Sequence, residues 1–126
     1  MPKSPGHREH PGHQVVETHL DQCVKDAVNG ELVAESRDVV KVDEDGYPSR
    51  YYFPRSDVDM SKLSRSDTTT QCPFKGTAHY FGLSAAGFTF VDSVWTYEDP
   101  YEEHLALKER VAFYDEKSPK IAISLW

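Results

Sequence analysis

Residues 23–36, Cys23-Val24-Lys25-Asp26-Ala27-Val28-Asn29-Gly30-Glu31-Leu32-Val33-Ala34-Glu35-Ser36, decide the fold class of this chain. Two short runs of β-prone residues flank the dipeptide Asn29-Gly30. A two-residue type I′ turn needs positive φ at both central positions, and an Asn-Gly pair adopts that backbone at little cost. The segment therefore predicts a β-hairpin within a mainly β protein.

Further strand patterns follow the hairpin, separated by turn residues. They cover residues 38–42, 51–53, 68–70, 76–83, 88–91, 93–97, 111–114 and 121–125. One helix is predicted, with Asp99 as its N-cap, Pro100 as its first residue and its end near Glu109. A shorter helical turn is predicted around residues 60–63. So many short strands beside one clear helix predict a closed or sandwiched antiparallel sheet.

The composition predicts a single-domain protein and argues against several functional classes. The 126 residues, of which 38% are hydrophobic, suffice for one domain with one modest core. The formal net charge is -7 and the basic residues are scattered, which argues against a nucleic-acid or membrane surface. No apolar stretch approaches the ~18 residues of a membrane span, and no secretory signal is visible. The two cysteines form no CxxC pair, so we expect a cytoplasmic protein without a disulfide framework or structural zinc.

Residues 1–14 are rich in Pro, Gly and His and show no apolar period. This pattern predicts a flexible N-terminal arm ahead of a single β domain over residues 15–126. His7, His10 and His13 stand three apart, a spacing that permits metal chelation, but Pro11 and Gly12 interrupt any helix that would align them. A solvated tail is the favoured interpretation, and no metal site is predicted.

Four motifs, in the expected order, resemble those of a known family. Tyr51-Tyr52-Phe53-Pro54-Arg55-Ser56-Asp57-Val58 resembles its YYFPR-x-DV signature, and Thr69-Thr70-Gln71-Cys72-Pro73-Phe74-Lys75-Gly76-Thr77-Ala78-His79-Tyr80 its T-x-CP-x-KG-x-A-x-Y signature. Val94-Trp95-Thr96-Tyr97-Glu98-Asp99-Pro100 and Val111-Ala112-Phe113-Tyr114 resemble its VW-x-Y-x-x-P and x-AFY elements. From about Cys23 to Tyr114 the chain thus resembles the domain-of-unknown-function-427 family. The resemblance implies a small antiparallel β-tent or barrel-like sheet with one short helix, similar to Mss4-like and methionine-sulfoxide-reductase-like domains.

Two properties implied by the resemblance can be compared with the residues of this chain. Many β-tent relatives hold zinc between two CxxC knuckles, and this chain has neither, so no cofactor is expected. The family is also catalogued as nucleotidyltransferase-like, a chemistry that needs carboxylates converging on Mg²⁺ and a cradle for phosphate. Asp57 and Asp59 alternate along the chain, but no P-loop accompanies them. Nucleotidyl transfer is therefore not the predicted activity.

The segment Cys72-Pro73-Phe74-Lys75-Gly76 has the most suggestive chemistry. A cation close to a cysteine favours the nucleophilic thiolate, and a desolvated lysine serves as a general base or a Schiff-base amine. Lys75, Asp57 and Cys72 are the candidate catalytic residues. In the alternative, structural interpretation Cys72 is a small buried hydrophobe, Lys75 pairs with an acid such as Asp57, and Gly76 permits a tight turn.

A second group of residues is predicted to bind the ligand. Arg55 offers a guanidinium fork to an anionic or enolic group, His79 offers a proton shuttle, and aromatic side chains on neighbouring strands suit a planar organic ligand. The candidate binding residues are Arg55, Tyr52, Tyr80, Trp95, Tyr97 and His79. The alternatives are a loop-fixing ion pair for Arg55, ordinary packing for the aromatic residues and a surface position for His79.

Three functional hypotheses follow. The first is a small-molecule-binding protein or cofactor-free enzyme that uses acid/base chemistry on an aromatic or carbonyl-containing metabolite. The second is a non-catalytic protein-interaction module, a homodimer through an edge strand or an aromatic patch. The third is redox chemistry at Cys72, with the distant Cys23 as the only other thiol. A cavity with convergent polar groups would favour the first over the second.

Overall fold

A computed structural model describes residues 3–125, which form ten strands and five short helical segments. The strands are β1 Val15–Leu20, β2 Val24–Val28, β3 Glu31–Ser36, β4 Val39–Glu44, β5 Arg50–Tyr52, β6 Leu63–Cys72, β7 Gly76–Ala85, β8 Phe88–Tyr97, β9 Val111–Phe113 and β10 Ile121–Leu125. The helical segments are α1 (Pro5–Glu9) and the 3₁₀ helices Arg55–Asp57, Met60–Lys62, Glu102–Leu107 and Asp115–Lys117. The prediction of a mainly β protein is confirmed.

The strands form three antiparallel sheets, ordered β1-β4-β5, β10-β2-β3 and β6-β7-β8-β9. An isolated bridge between Phe53, next to β5, and Val111 on β9 connects two of these sheets, and Ala34 on β3 forms a second bridge with Val58, which lies outside the strands. Within residues 3–125 the strands do not close into a barrel. The predicted antiparallel arrangement is confirmed. Of the predicted forms, a tent or a barrel-like sheet, the closed barrel is not found within residues 3–125, where the strands form three sheets.

The predicted hairpin at Asn29-Gly30 is confirmed. β2 and β3 pair from Val28↔Glu31 to Val24↔Ser36, with a register shift next to Asp26. Asn29 has φ 46° and Gly30 has φ 88°. Both values are positive, as a type I′ turn requires.

Replacing Gly30 with alanine is expected to destabilise the protein by about 1 kcal/mol, because a Cβ is strained at positive φ. Nothing lies within 4 Å of the position that the Cβ would take, so the cost comes from the backbone alone. Gly12→Ala is the matched control, since Gly12 is equally open and has no positive φ. Urea unfolding should separate the two variants, and equal midpoints would contradict the turn assignment.

The strand β1 was missed by the sequence analysis. Its residues Val15–Leu20 alternate between half-buried and exposed positions along most of the strand, and they pair with β4 from Val15↔Glu44 to Leu20↔Val39. The sequence there mixes Glu, Thr and His with the apolar residues and follows a Pro- and Gly-rich stretch. Pairing with β4 therefore stabilises a segment whose own strand signal is weak.

The predicted helix over residues 99–109 is replaced by a shorter 3₁₀ helix, Glu102–Leu107, whose N-cap is Tyr101 and not Asp99. The backbone N–H of Tyr101 donates to the carbonyl of Lys75 at 3.0 Å, so a contact with a distant turn holds the start of the helix. His104 has non-helical φ −127° inside it, and its side chain is buried. Tertiary contacts outweigh the local capping preference here.

The described part of the predicted flexible arm, residues 3–14, lies against the turn between β6 and β7. Gly6 N–H and Ser4 Oγ both donate to the carbonyl of Pro73, at 2.8 and 2.6 Å. A Cβ on Gly6 would come within 2.7 Å of that carbonyl oxygen, so the contact requires glycine. The arm therefore makes a specific contact with the β domain.

Two apolar clusters fill the interior. The larger joins the β10-β2-β3 sheet to the strands β7–β9 and includes Phe53, Leu83 and Val111. The smaller contains Tyr52, Trp95, Tyr97 and Leu107, and some of its side chains reach the candidate site described below. Within residues 3–125, no helix has the length and apolarity needed to cross a membrane.

Candidate functional site

A cavity of about 500 Å³ lies among β4, β5, the β6–β7 turn and the face of β7 and β8. Pockets for small organic molecules usually measure ~300–1,000 Å³. Its aromatic lining residues are Tyr47, Tyr52, Phe74, Tyr80, Trp95, Tyr97 and Tyr114, and its charged ones are Glu44, Arg50, Lys75 and Asp92. The lining thus combines a largely aromatic wall with few charged groups.

The alternation of side chains along each strand decides which of them reach the cavity. Val42 and Glu44 are two residues apart on β4, and both line the cavity. Arg50 and Tyr52 are likewise two apart on β5, where Arg50 pairs with Val42. Each strand therefore presents one face, and with it one polar group, to the cavity.

The polar centre of the cavity is an ion pair between Lys75 and Glu44. Lys75 Nζ donates to Glu44 Oε1, and the two side chains are 8% and 10% exposed. His13 Nε2 lies 2.9 Å from the other oxygen, Oε2. The Lys75 ammonium also lies 3.8 Å from the sulfur of Cys72. One carboxylate therefore holds both a lysine of the β6–β7 turn and a histidine of the N-terminal arm.

Glu44 is ionised at neutral pH despite its burial. Burial disfavours the charged form, but the hydrogen bonds and charges of Lys75 and His13 outweigh it and hold the pKa of Glu44 below its usual range. The site therefore contains a proton donor, the Lys75 ammonium, beside a carboxylate that accepts protons. Such a pair can exchange protons with a bound ligand.

The aromatic wall is held by its own hydrogen bonds. Tyr52 Oη accepts from Trp95 Nε1 at 3.1 Å, and the ring of Tyr80 lies 6.4 Å from that of Trp95. Burial raises the pKa of both Tyr52 and Tyr97, so their phenols stay protonated at neutral pH. The wall thus offers flat apolar faces and neutral hydroxyl groups.

Arg50 borders the cavity between two rings. Its guanidinium lies 5.2 Å from the centre of the Trp95 ring and 5.3 Å from that of Tyr114. It also donates two hydrogen bonds to Glu116, at 2.9 and 2.6 Å. The Arg50 side chain is therefore fixed in place, with a planar cation next to the aromatic wall.

The cavity brings together six of the nine residues that the sequence predicted for the site. They are Lys75, Cys72, Tyr52, Tyr80, Trp95 and Tyr97. Cys72 and Cys23 are both free thiols, and Cys23 contacts Glu35 on the β2-β3 hairpin instead of Cys72. The roles of these residues stay predictions, but six of them now share one cavity.

Arg55 and His79 lie outside the cavity, around Glu98. Arg55 Nη2 is 3.4 Å and His79 Nε2 is 3.7 Å from carboxylate oxygens of Glu98. Arg65 also donates two hydrogen bonds to this carboxylate and, as the largest cause, lowers its pKa to about 2. On β7, Tyr80 lines the cavity while its neighbour His79 points to this surface cluster, as alternation requires.

Asp57 is not the partner of Lys75. Its Oδ2 accepts a hydrogen bond from Ser36 Oγ at 2.5 Å, and it borders a separate, shallower recess beside β3. The acid that pairs with Lys75 is Glu44, which lies two residues beyond the predicted strand over residues 38–42. The strand extends further than predicted, and Glu44 is the last residue of β4.

Arg50 and His13 were also missed as site residues. Arg50 had a usable signal, because it stands two residues before Tyr52 and so shares its face on a strand. No local pattern links His13 to Glu44, since that contact depends on the fold of the arm.

Comparison with known protein families assigns the chain to one of them. Residues 16–123 match the family described as a domain of unknown function, DUF427. The chain belongs to this family. The match spans every residue that lines the cavity, whereas His7 and His13 of the arm precede it. No curated protein matches this DUF427 sequence.

Proposed function

We propose that this DUF427 protein binds a small, planar, aromatic or carbonyl-containing metabolite in the cavity and acts on it by acid/base chemistry without a cofactor. The observation that carries the proposal is the buried Lys75–Glu44 pair in the wall of an aromatic-lined cavity of about 500 Å³. Burial strengthens the electrostatic effect of both groups on a ligand, because little water screens them.

The two charged groups have complementary roles in this proposal. The Lys75 ammonium donates to a ligand oxygen on which negative charge develops, as a carbonyl does during enolisation. Glu44, which is ionised, accepts a proton and returns it to Lys75. Cys72 lies 3.8 Å from Lys75 Nζ and supports its position.

The remaining lining explains which ligands fit. The rings of Tyr80 and Trp95 offer flat surfaces for a planar ligand. Arg50 adds a cation next to the Trp95 ring, which favours a ligand that carries a carboxylate or an enolate. Small aromatic acids and aromatic carbonyl compounds combine these features.

Lys75→Met is expected to weaken binding of such a ligand by about 10–100-fold, because a hydrogen bond to a charged group contributes about 1.5–3 kcal/mol. The ligand is first selected by soaking crystals with a panel of small aromatic acids and carbonyl compounds. Its affinity is then measured by calorimetry.

Lys62→Met is the matched control for this experiment. Lys62 pairs with Asp59 and Glu31, at 3.1 and 3.3 Å, and does not line the cavity. It should bind like the unmodified chain. Equal affinities for the two lysine variants would rule out a role for Lys75, and a panel that yields no density in the cavity would rule out the binding site.

The alternative candidate is an interaction module that forms a homodimer. The observation that favours it is β6, a ten-residue edge strand whose side chains are mostly exposed. Such an edge leaves backbone groups open for pairing with a second copy. Analytical ultracentrifugation at micromolar concentration tests this candidate, and a monomer there removes it.

A further inference from the structure

The N-terminal arm packs against one side of the cavity. Its His13 ring stacks on the ring of Phe74 at 4.2 Å, and its His7 ring meets the same ring edge-on at 5.0 Å. The backbone N–H of Gly6 donates to the carbonyl of Pro73 at 2.8 Å. Phe74 and Pro73 both line the cavity, so the arm covers part of the cavity wall.

A contact between two histidines joins the arm to the 3₁₀ helix Glu102–Leu107. His7 Nε2 lies 2.8 Å from His104 Nε2, a hydrogen bond in which one nitrogen carries a proton and the other presents a lone pair. His104 is buried, and its Nδ1 lies 2.7 Å from Glu17 Oε2 on β1. The carboxylate keeps a proton on Nδ1, and a single proton is left to lie between the two Nε2 atoms.

A second proton cannot enter this contact. If both Nε2 atoms carried one, neither could accept, and two positive rings would face each other at a separation of 2.8 Å. His7 is then the ring that moves, because it lies on the short helix α1, whereas His104 is buried and held by Glu17. Uptake of a second proton by the pair therefore breaks this link between the arm and the β domain.

The groups that face His7 give the direction of the pH effect. Burial is the largest influence and lowers the pKa of His7, and the charges of His104 and His13 lower it further. Glu103 and Glu44 act in the opposite direction, but the net effect holds the pKa of His7 below its usual value. The docked arm thus favours the neutral ring. Its docking is at full strength above the ordinary histidine pKa of about 6.5 and weakens as the pH falls below that value.

The contact between His13 and Glu44 survives in acid. Burial disfavours the charged form of Glu44, but Lys75 and His13 hold its pKa below its usual range, so it stays ionised as the histidines titrate. His13 Nε2 lies 2.9 Å from this carboxylate and can donate to it whether the ring is neutral or charged. Of the two histidine contacts, acid therefore breaks the one between His7 and His104.

We propose that the arm is a pH-controlled latch on the cavity: the proton shared by His7 and His104 keeps the latch closed, and a second proton on this pair opens it. The open latch uncovers Phe74 and frees the Glu44 oxygen that His13 holds. The effect on ligand entry rests on the proposed function, whereas the release of the arm does not.

Amide hydrogen exchange followed by NMR measures the release without a ligand. The reporter is Gly6 N–H, and its protection factor already corrects for the intrinsic pH dependence of exchange. In the unmodified chain this factor is expected to fall about tenfold from about pH 8 to about pH 5.5, because one proton is taken up below a pKa of about 6.5. The amide of Phe53, which donates to Val111 in the β domain, should lose no protection and so distinguishes release of the arm from unfolding.

His7→Gln separates this contact from the other groups that titrate. A glutamine amide can donate to His104 or accept from it, so the arm should stay docked and the fall in protection should disappear. His10→Gln is the matched control, since His10 is exposed on the same arm, and this variant should keep the tenfold fall. In the unmodified chain the His7 ring, also followed by NMR, should titrate over the pH range in which Gly6 loses protection.

Three results would overturn the latch. The first is equal protection of Gly6 at the two pH values in the unmodified chain. The second is a fall in His7→Gln as large as that in His10→Gln. The third is a loss of Gly6 protection outside the pH range in which the His7 ring titrates, and this result decides the matter if the glutamine variant does not dock.

Discussion

Replacing Phe53 with alanine is expected to lower the free energy of unfolding by about 3–5 kcal/mol, a large part of what holds a domain of this size together. Phe53 is 0% exposed, and its ring meets that of Phe113 edge-on at 5.7 Å. Its backbone exchanges two hydrogen bonds of 2.8 Å with Val111 on β9. An alanine there would leave a cavity at the junction of two sheets.

Urea denaturation measures this loss, and Val91→Ala is its control. Val91 is 68% exposed on β8, so its truncation should change stability by no more than about 0.5 kcal/mol. Phe53→Leu, which keeps most of the side-chain volume, should fall between the two. If Phe53→Ala unfolded at the same urea concentration as Val91→Ala, the packing at this junction would contribute nothing to stability.

A second large effect is expected from a buried pair of acids, Asp26 on β2 and Asp115 in the 3₁₀ helix before β10. Asp26 is fully buried on the face it shares with Val24 and Val28, and its carboxyl lies within hydrogen-bond reach of the Asp115 carboxyl. Burial raises the pKa of Asp26, and the Asp115 carboxyl raises it further. Burial also raises the pKa of Asp115. The folded protein therefore keeps a proton at this pair that the unfolded chain releases.

The direction of the pH effect follows from that proton. Since the folded state binds more protons than the unfolded chain, rising pH favours unfolding. The penalty is absent only well below pH 4, where the carboxyls are protonated in both states, and it grows as the pH rises through the unfolded-chain pKa of about 4. Asp26→Asn removes the ionisation with little change in shape. It is expected to increase the free energy of unfolding at pH 7 by on the order of 2 kcal/mol, with a much smaller gain near pH 4.

Urea unfolding of Asp26→Asn and of the unmodified chain, at about pH 4 and at pH 7, checks this expectation. Asp21→Asn provides the control, because Asp21 is exposed just before β2 and the substitution removes the same charge. A stability difference for Asp26→Asn that stays the same at both pH values would show that ionisation of the pair is not its cause.

The elements that could be predicted carried their own local signals. The turn at Asn29-Gly30 was predicted because few residues adopt positive φ easily, and the structure has it there. The strand over residues 121–125 was predicted from its apolar run and is β10. By contrast β1 was missed and the 99–109 helix was wrong in its extent, since pairing with β4 and the bond from Tyr101 to Lys75 decide those segments.

Some residues of the candidate site could likewise be predicted from local patterns, and others could not. Trp95 and Tyr97 could be predicted to share a wall because they stand two apart on one strand and so face the same way, and Tyr80 joins them through its pairing with Trp95. The acid beside Lys75 could not, since Asp57 and Glu44 are equally plausible partners until the pairing of the strands is known. The structure selects Glu44, because β4 brings it to the β6–β7 turn.

The sequence by itself determined the turns, the strand faces and the family resemblance, because backbone preferences and side-chain alternation belong to short stretches of chain. Only the tertiary structure decided which groups meet. Lys75 and Glu44 are 31 positions apart, and His7 and His104 are 97 apart. Such contacts depend on how whole sheets and the arm pack together, and no local pattern contains that information.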